Sequence, residues 1–165
     1  MTVRSIRDFF VPGLMTLIFL AGCATNRDLT ADGAPLARQV TAAGHCGLTA
    51  PSLVYLASRQ ELDDFTRLQG QTLAAGGLED HDFGREHLLV VALGQKPTGG
   101  YGVVLRSSEI RSDVLQITAE ARAPAPGDMV TQALTTPCAV LAVSPRDWTS
   151  VEVSGPNLPG MVYRR

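Results

Sequence analysis

Six consecutive apolar residues, Leu88-Leu89-Val90-Val91-Ala92-Leu93, limit the fold of this chain more than any other feature. The run lacks the apolar–polar alternation of a strand with one wet face, so it predicts a strand covered on both faces. The residues that follow are also constrained. Gly94-Gln95-Lys96-Pro97-Thr98-Gly99-Gly100-Tyr101 places three glycines and a proline in eight positions. Pro97 locks one φ, removes a donor and pushes Lys96 toward extended backbone. Gly99 and Gly100 are free to adopt positive φ. Lys96 is the only lysine of the chain. A loop shaped in this way, with one cation and an aromatic residue at its end, is either a binding edge or a plain hairpin turn.

The other elements can be read around that pair. Leu53-Val54-Tyr55-Leu56 predicts a first strand. Ser58-Arg59-Gln60-Glu61 has the form of a capping box, with Ser58 as N-cap and Glu61 reaching back. Leu62, Phe65, Leu68 and Leu73 continue it as a helical stripe that stops at Gly70 or at Gly76-Gly77. Tyr101 to Leu105 alternates. Val114 to Ala123 alternates better, with Leu115, Ile117, Ala119 and Ala121 on one side, until Pro124-Ala125-Pro126-Gly127-Asp128 breaks the strand. A polar crossing, Met129 to Thr136, leads to another buried strand, Pro137-Cys138-Ala139-Val140-Leu141-Ala142-Val143, which Pro145 ends. A short strand at Thr149 to Val153 and a tail through Gly155-Pro156 and Pro159-Gly160 complete the chain. The expectation is a mainly β, α+β domain: an antiparallel sandwich, Ig-like in one form, or a partly closed barrel, with one helix packed against it.

The N-terminus carries a targeting signal. Arg4 and Arg7 precede an apolar segment from Phe9 to Leu20, which ends in Leu20-Ala21-Gly22-Cys23. Basic, apolar and small-residue regions in that order predict a signal peptide. The Leu-Ala-Gly-Cys box resembles a bacterial lipoprotein signal. The resemblance implies that residues 1–22 are removed, that Cys23 is diacylated or triacylated, and that Ala24 after it directs the protein to the outer membrane. Residues 23–43 are polar, alanine-rich and aperiodic, and read as a tether. The folded domain is expected over residues 44–165.

Composition excludes some functions. The formal net charge is −2, and no basic stripe suggests nucleic-acid binding. An exported chain with Cys46 and Cys138 left over suggests a disulfide, with two free thiols as the alternative. His45 beside Cys46 is not the geometry of a Cys–His nucleophile pair. His81, Asp82, Glu86 and His87 match no zinc spacing. No phosphate loop, nucleophile elbow or other convincing catalytic set is present, so the chain reads as a non-enzyme without cofactor or metal.

From about Asp82 to Val153 the order of blocks resembles the C-terminal domain of the PrcB family. The blocks are Asp82-Phe83-Gly84, the buried strand, Gly94 to Tyr101, Pro124-x-Pro126-Gly127, Val130 to Pro137 and a closing apolar strand. That family resembles a lipoprotein, non-catalytic subunit that stabilises a secreted, subtilisin-like protease. What the resemblance transfers is the domain, and with it the expectation of a protein partner such as an exported protease. The loop's own rigidity and chemistry nominate Lys96, Pro97, Thr98, Gly99, Gly100 and Tyr101 as the binding residues, with Pro124, Pro126 and Gly127 as a second loop. Cys138 departs from the pattern, standing where an aliphatic or aromatic residue is expected. A Pro-Thr-Gly-aromatic loop between strands is also similar to the first binding loop of chagasin-type cysteine-protease inhibitors. That likeness implies the alternative function of blocking a protease active site, although no Arg-Pro-aromatic third loop is evident.

Overall fold

The computed structural model describes residues 29–30, 33–73 and 76–165. The signal segment 1–22 and Cys23 lie outside the described residues. Eight strands and one helix follow in the order β1 (Ala37–Ala43), β2 (Pro51–Leu56), α1 (Arg59–Thr66), β3 (His87–Leu93), β4 (Gly102–Arg111), β5 (Val114–Arg122), β6 (Cys138–Val143), β7 (Ser150–Gly155) and β8 (Leu158–Arg164). They form two four-stranded sheets, β1-β6-β3-β2 and β4-β5-β7-β8. The sheets pack as a sandwich and do not close into a barrel.

The absence of alternation in β3 has a direct cause. Leu89, Val91 and Leu93 point between the sheets, against Leu115, Ile117, Val151 and Val153. Leu88, Val90 and Ala92 point the other way, into a second core with Leu56, Leu62, Phe65, Leu73 and Leu78. Strand β6 divides in the same manner, with Leu141 and Val143 inward and Val140 and Ala142 under the helix. Each such Leu or Val contributes about 1.5–3 kcal/mol of burial. In β5 one face alone is buried, through Leu115, Ile117, Ala119 and Ala121, and the alternation survives.

Helix α1 begins at the expected cap: the Ser58 hydroxyl accepts from the Glu61 amide at 3.2 Å. The Glu61 carboxylate reaches back to the Ala57 amide at 2.7 Å. The helix ends at Thr66, shorter than the apolar stripe suggested. Leu62 and Phe65 are buried on it, Leu68 is 60% exposed, and Leu73 enters the core from beyond the helix. An irregular segment can fill a core position as well as a helix can, and the spacing alone does not distinguish them.

The structure corrects four further expectations. Residues 23–43 are not a tether throughout, because β1 lies within them and pairs with β6 from Ala37↔Val143 to Ala43↔Cys138. Most of its side chains are exposed or half-buried, so the ladder holds this strand and no period marks it. The tail after Gly155 is β8, an edge strand; Pro159 is tolerated there because an edge strand has one unpaired side. The second sheet is mixed, with β5 and β7 parallel. The Gly94–Tyr101 stretch is also not a hairpin turn. Both hydrogen-bonding sides of β3 are taken by β2 and β6, so the chain after Leu93 must cross to the other sheet before β4 begins.

Sheet edges are covered by side chains as well as strands. The Gln39 amide on β1 accepts from the Leu105 N–H at 2.9 Å and donates to the Val103 carbonyl at 3.3 Å. These are backbone groups of β4, at the bulge between Leu105 and Ser107. One glutamine thus occupies two groups that an added strand would need.

Candidate functional site

The crossing from β3 to β4 is built as a braced loop. Gly94 takes φ +71, and a Cβ there would stand 2.8 Å from the Pro51 ring, so the turn out of β3 requires glycine. The Lys96 amide donates to the Thr135 carbonyl at 2.8 Å, and the Thr135 amide returns to the Lys96 carbonyl at 3.0 Å. The Gly99 amide donates to the Thr131 carbonyl at 2.8 Å. The Thr135 hydroxyl donates to the Thr98 carbonyl at 2.7 Å. The loop is therefore hydrogen-bonded along its length to residues 131–135 of the crossing that leads into β6.

The Pro124 turn joins the same body. Gly100 takes φ +83, and a Cβ on it would meet Val130 Cγ1 at 2.9 Å and Pro124 Cβ at 3.0 Å. The turn closes itself through the Ala125 amide to the Asp128 carboxylate at 2.8 Å and the Asp128 amide to the Ala125 carbonyl at 3.0 Å. The structure thus brings Lys96–Tyr101 and Pro124–Gly127 together, as the sequence grouped them. Pro97, Gly100, Pro126 and Gly127 are exposed, and Lys96, Thr98, Gly99, Tyr101 and Pro124 are half-buried. Lys96 Nζ lies 5.8 Å from the centre of the Tyr101 ring, a cation–π approach. Among the described residues no carboxylate pairs with Lys96.

Two residues of this surface were not singled out from sequence. Met129 is fully exposed and Leu134 is 64% exposed, both on the crossing that braces the loop. Their signal was present as lone apolar residues in a polar segment. Such residues become informative only when the fold puts them beside the loop.

The base of the surface is covalently fixed. Cys46 and Cys138 form a disulfide with Cα atoms 6.1 Å apart, and both residues are fully buried. Beside it, the Thr136 hydroxyl accepts from the Cys46 and Gly47 amides at 3.0 and 2.9 Å. The bridge therefore holds residues 44–47 against the end of the 129–136 crossing.

The polar residues before β3 do not converge. The His81 ring bonds the Glu86 carbonyl at 2.8 Å and sits edge-on to Phe83. Glu86 pairs with Arg38, and His87 contacts the Tyr55 hydroxyl. Among the described residues no three His, Cys, Asp or Glu side chains gather as metal donors.

Residues 88–144 match the family model described as PrcB C-terminal. Over these residues the chain is similar to a PrcB C-terminal domain. The match covers β3 to β6, including the braced loop, the Pro124 turn and the 129–136 crossing. In this chain that PrcB C-terminal segment supplies both central strands of the first sheet and the β4–β5 hairpin of the second. Strands β1, β2, β7 and β8, the helix and Cys46 lie outside the matched residues. No curated protein and no solved structure matches the chain.

Proposed function

We propose that this protein is a lipid-anchored, non-catalytic scaffold of the bacterial cell envelope that binds a protein partner such as an exported protease. It would face the periplasm from the outer membrane, held by acyl chains on Cys23. The observation that carries the reading is the braced platform of Lys96–Tyr101, Pro124–Gly127 and residues 129–136. A loop already ordered by hydrogen bonds loses little entropy on docking. Lys96 offers a cation without a carboxylate partner among the described residues, and Tyr101, Met129 and Leu134 offer the aromatic and apolar contacts enriched at interfaces. The family match supports a protease-associated role.

The test is Lys96→Ala combined with Thr98→Ala. The Thr98 hydroxyl bonds only the adjacent Gly99 carbonyl, at 3.1 Å, so the pair should cost within about 0.5 kcal/mol of stability. Recovery of the partner by crosslinking in the native envelope is expected to fall severalfold. Unchanged recovery with an intact fold would place the binding surface elsewhere. If the unanchored domain blocks a protease in an activity panel, the inhibitor reading replaces the scaffold.

Anchoring has its own test. Cys23→Ser should abolish acyl incorporation and leave an unanchored or uncleaved protein. Acylation that persists in this variant would contradict the assignment of Cys23.

A further inference from the structure

At the end of the sandwich away from the braced loop, a chain of polar contacts joins β8 to β2 and β3. Arg165, directly after β8, donates from Nη2 to the Tyr55 hydroxyl at 2.7 Å. The same hydroxyl contacts His87 Nδ1. Arginine can only donate, so Tyr55 accepts from it and has its own proton to give to Nδ1. That donation needs a neutral His87 with Nδ1 bare and its ring proton on Nε2, on the side of the Phe83 carbonyl. The Arg165 guanidinium also lies 3.6 Å from the centre of the Trp148 ring and 5.5 Å from that of Tyr55. Tyr163 packs on Tyr55 at 5.0 Å and Trp148 meets it edge-on at 5.5 Å. The Trp148 ring N–H donates to the Ser144 carbonyl at 2.6 Å.

We infer that this relay is a proton-sensitive latch: protonation of His87 breaks the Arg165–Tyr55–His87 chain and frees the end of β8 from the β2 edge. A proton on Nδ1 removes the acceptor that the Tyr55 hydroxyl needs. It also turns two cations, His87 and Arg165, toward one phenol oxygen. Tyr55 can then keep Arg165 only by turning its own proton away from His87 and holding two like charges at one oxygen.

The groups facing His87 can be weighed one by one. Burial disfavours its charged form most, and Arg165 on the β8 side opposes the charge next, as does His81 from the connector. Glu61 on α1 and the Phe83 carbonyl favour the charge, but the balance leaves the imidazole below its ordinary value of 6.5. Burial in turn raises Tyr55 above the ordinary phenol value, although Arg165 opposes this, so the phenol keeps the proton it donates. The sign follows. A histidine whose folded value is depressed stabilises the closed form fully above about 6.5, and that contribution is lost as pH falls through the folded value. The latch is shut at neutral pH and opens in acid, exposing Tyr55, Trp148 and Tyr163.

Amide hydrogen exchange of residues 158–165, with Trp148 fluorescence, tests this between about pH 7.5 and about pH 5. The expected result is a loss of amide protection of up to roughly tenfold per pH unit as pH falls from about 6.5 toward the folded value of His87, levelling off below it, confined to β8, together with a change in Trp148 emission. His87→Gln, which keeps a neutral acceptor for Tyr55, should remove the transition, and His81→Gln should retain it. Arg165→Met should give a weakly protected β8 end at every pH. A transition that persists in His87→Gln overturns the inference, and so does loss of protection in β3 and β6 at the same pH as in β8.

Discussion

Replacing Cys46 and Cys138 together by alanine is expected to lower the unfolding free energy by about 4 kcal/mol. The bridge spans 92 residues of sequence, and in the chain-entropy view a loop of that length constrains the unfolded chain strongly. A domain of this size has a total stability of about 5–15 kcal/mol, so the bridge is a large share of it. The loss should also reach the candidate site. Thr136 receives the Cys46 and Gly47 amides next to the bridge, and the crossing that braces Lys96–Tyr101 begins to fray from that point. Denaturant unfolding of the double variant, with hydrogen exchange of residues 129–136, measures both effects. The oxidised native protein should show no titratable thiol among these two. Two reactive thiols, or a change in stability under about 1 kcal/mol, would contradict this account.

The second large effect is expected at Gly155. Its φ is +145, and a Cβ there would lie 2.0 Å from the Ala119 carbonyl oxygen of β5. That atom is backbone in a strand paired on both sides, so it cannot withdraw cheaply. Next to it, the Ala121 amide donates to the Pro156 carbonyl at 3.0 Å, which holds the β7–β8 turn against β5. Gly155→Ala combines a strained backbone, about 1–3 kcal/mol, with overpacking of similar size. A cost near 3 kcal/mol or more should appear as a lowered thermal midpoint. Gly160→Ala is the control, since its Cβ would meet nothing within 4 Å. Equal midpoints for the two variants would show that β5 and the turn are less closely joined than described.

The Cys46–Cys138 bridge was legible in the sequence, whereas the Gly155 effect arises where sequence reading was weakest. Glycine at 155 followed by proline at 156 looks like the start of a tail, because these residues break regular structure. The same pair turns the chain into an edge strand whose partner, β7, was legible. Strand β1 was missed for a related reason. Its burial pattern has no period, and its stability comes from the ladder with β6, which no local pattern encodes.

The platform was legible in part. Pro97, Gly99 and Gly100 announced a shaped loop, and Pro124 to Asp128 announced a turn, since both depend on local backbone chemistry. What braces them was not visible, because the bonds from Lys96, Thr98 and Gly99 run to residues more than 30 positions away. Tyr55, His87, Trp148 and Arg165 had no common signal at all. They lie on β2, at the start of β3, before β7 and after β8, and only the stacking of the two sheets at one end collects them.

The sequence by itself therefore determined what local chemistry and periodicity can encode. That includes a doubly covered β3, the half-covered β5, the Ser58 cap, and a mainly β fold, sandwich or partly closed barrel, with one helix alongside. Tertiary structure alone decided strand partners, the parallel β5–β7 pairing, the edge strands β1 and β8, and the crossing of the Gly94–Tyr101 loop between sheets. The physical reason is that periodicity reports which faces of a strand are dry, whereas partner choice depends on which hydrogen-bonding edges remain open once the other strands have paired. For β3 neither edge was open, and this turned a possible hairpin into the braced loop of the candidate site.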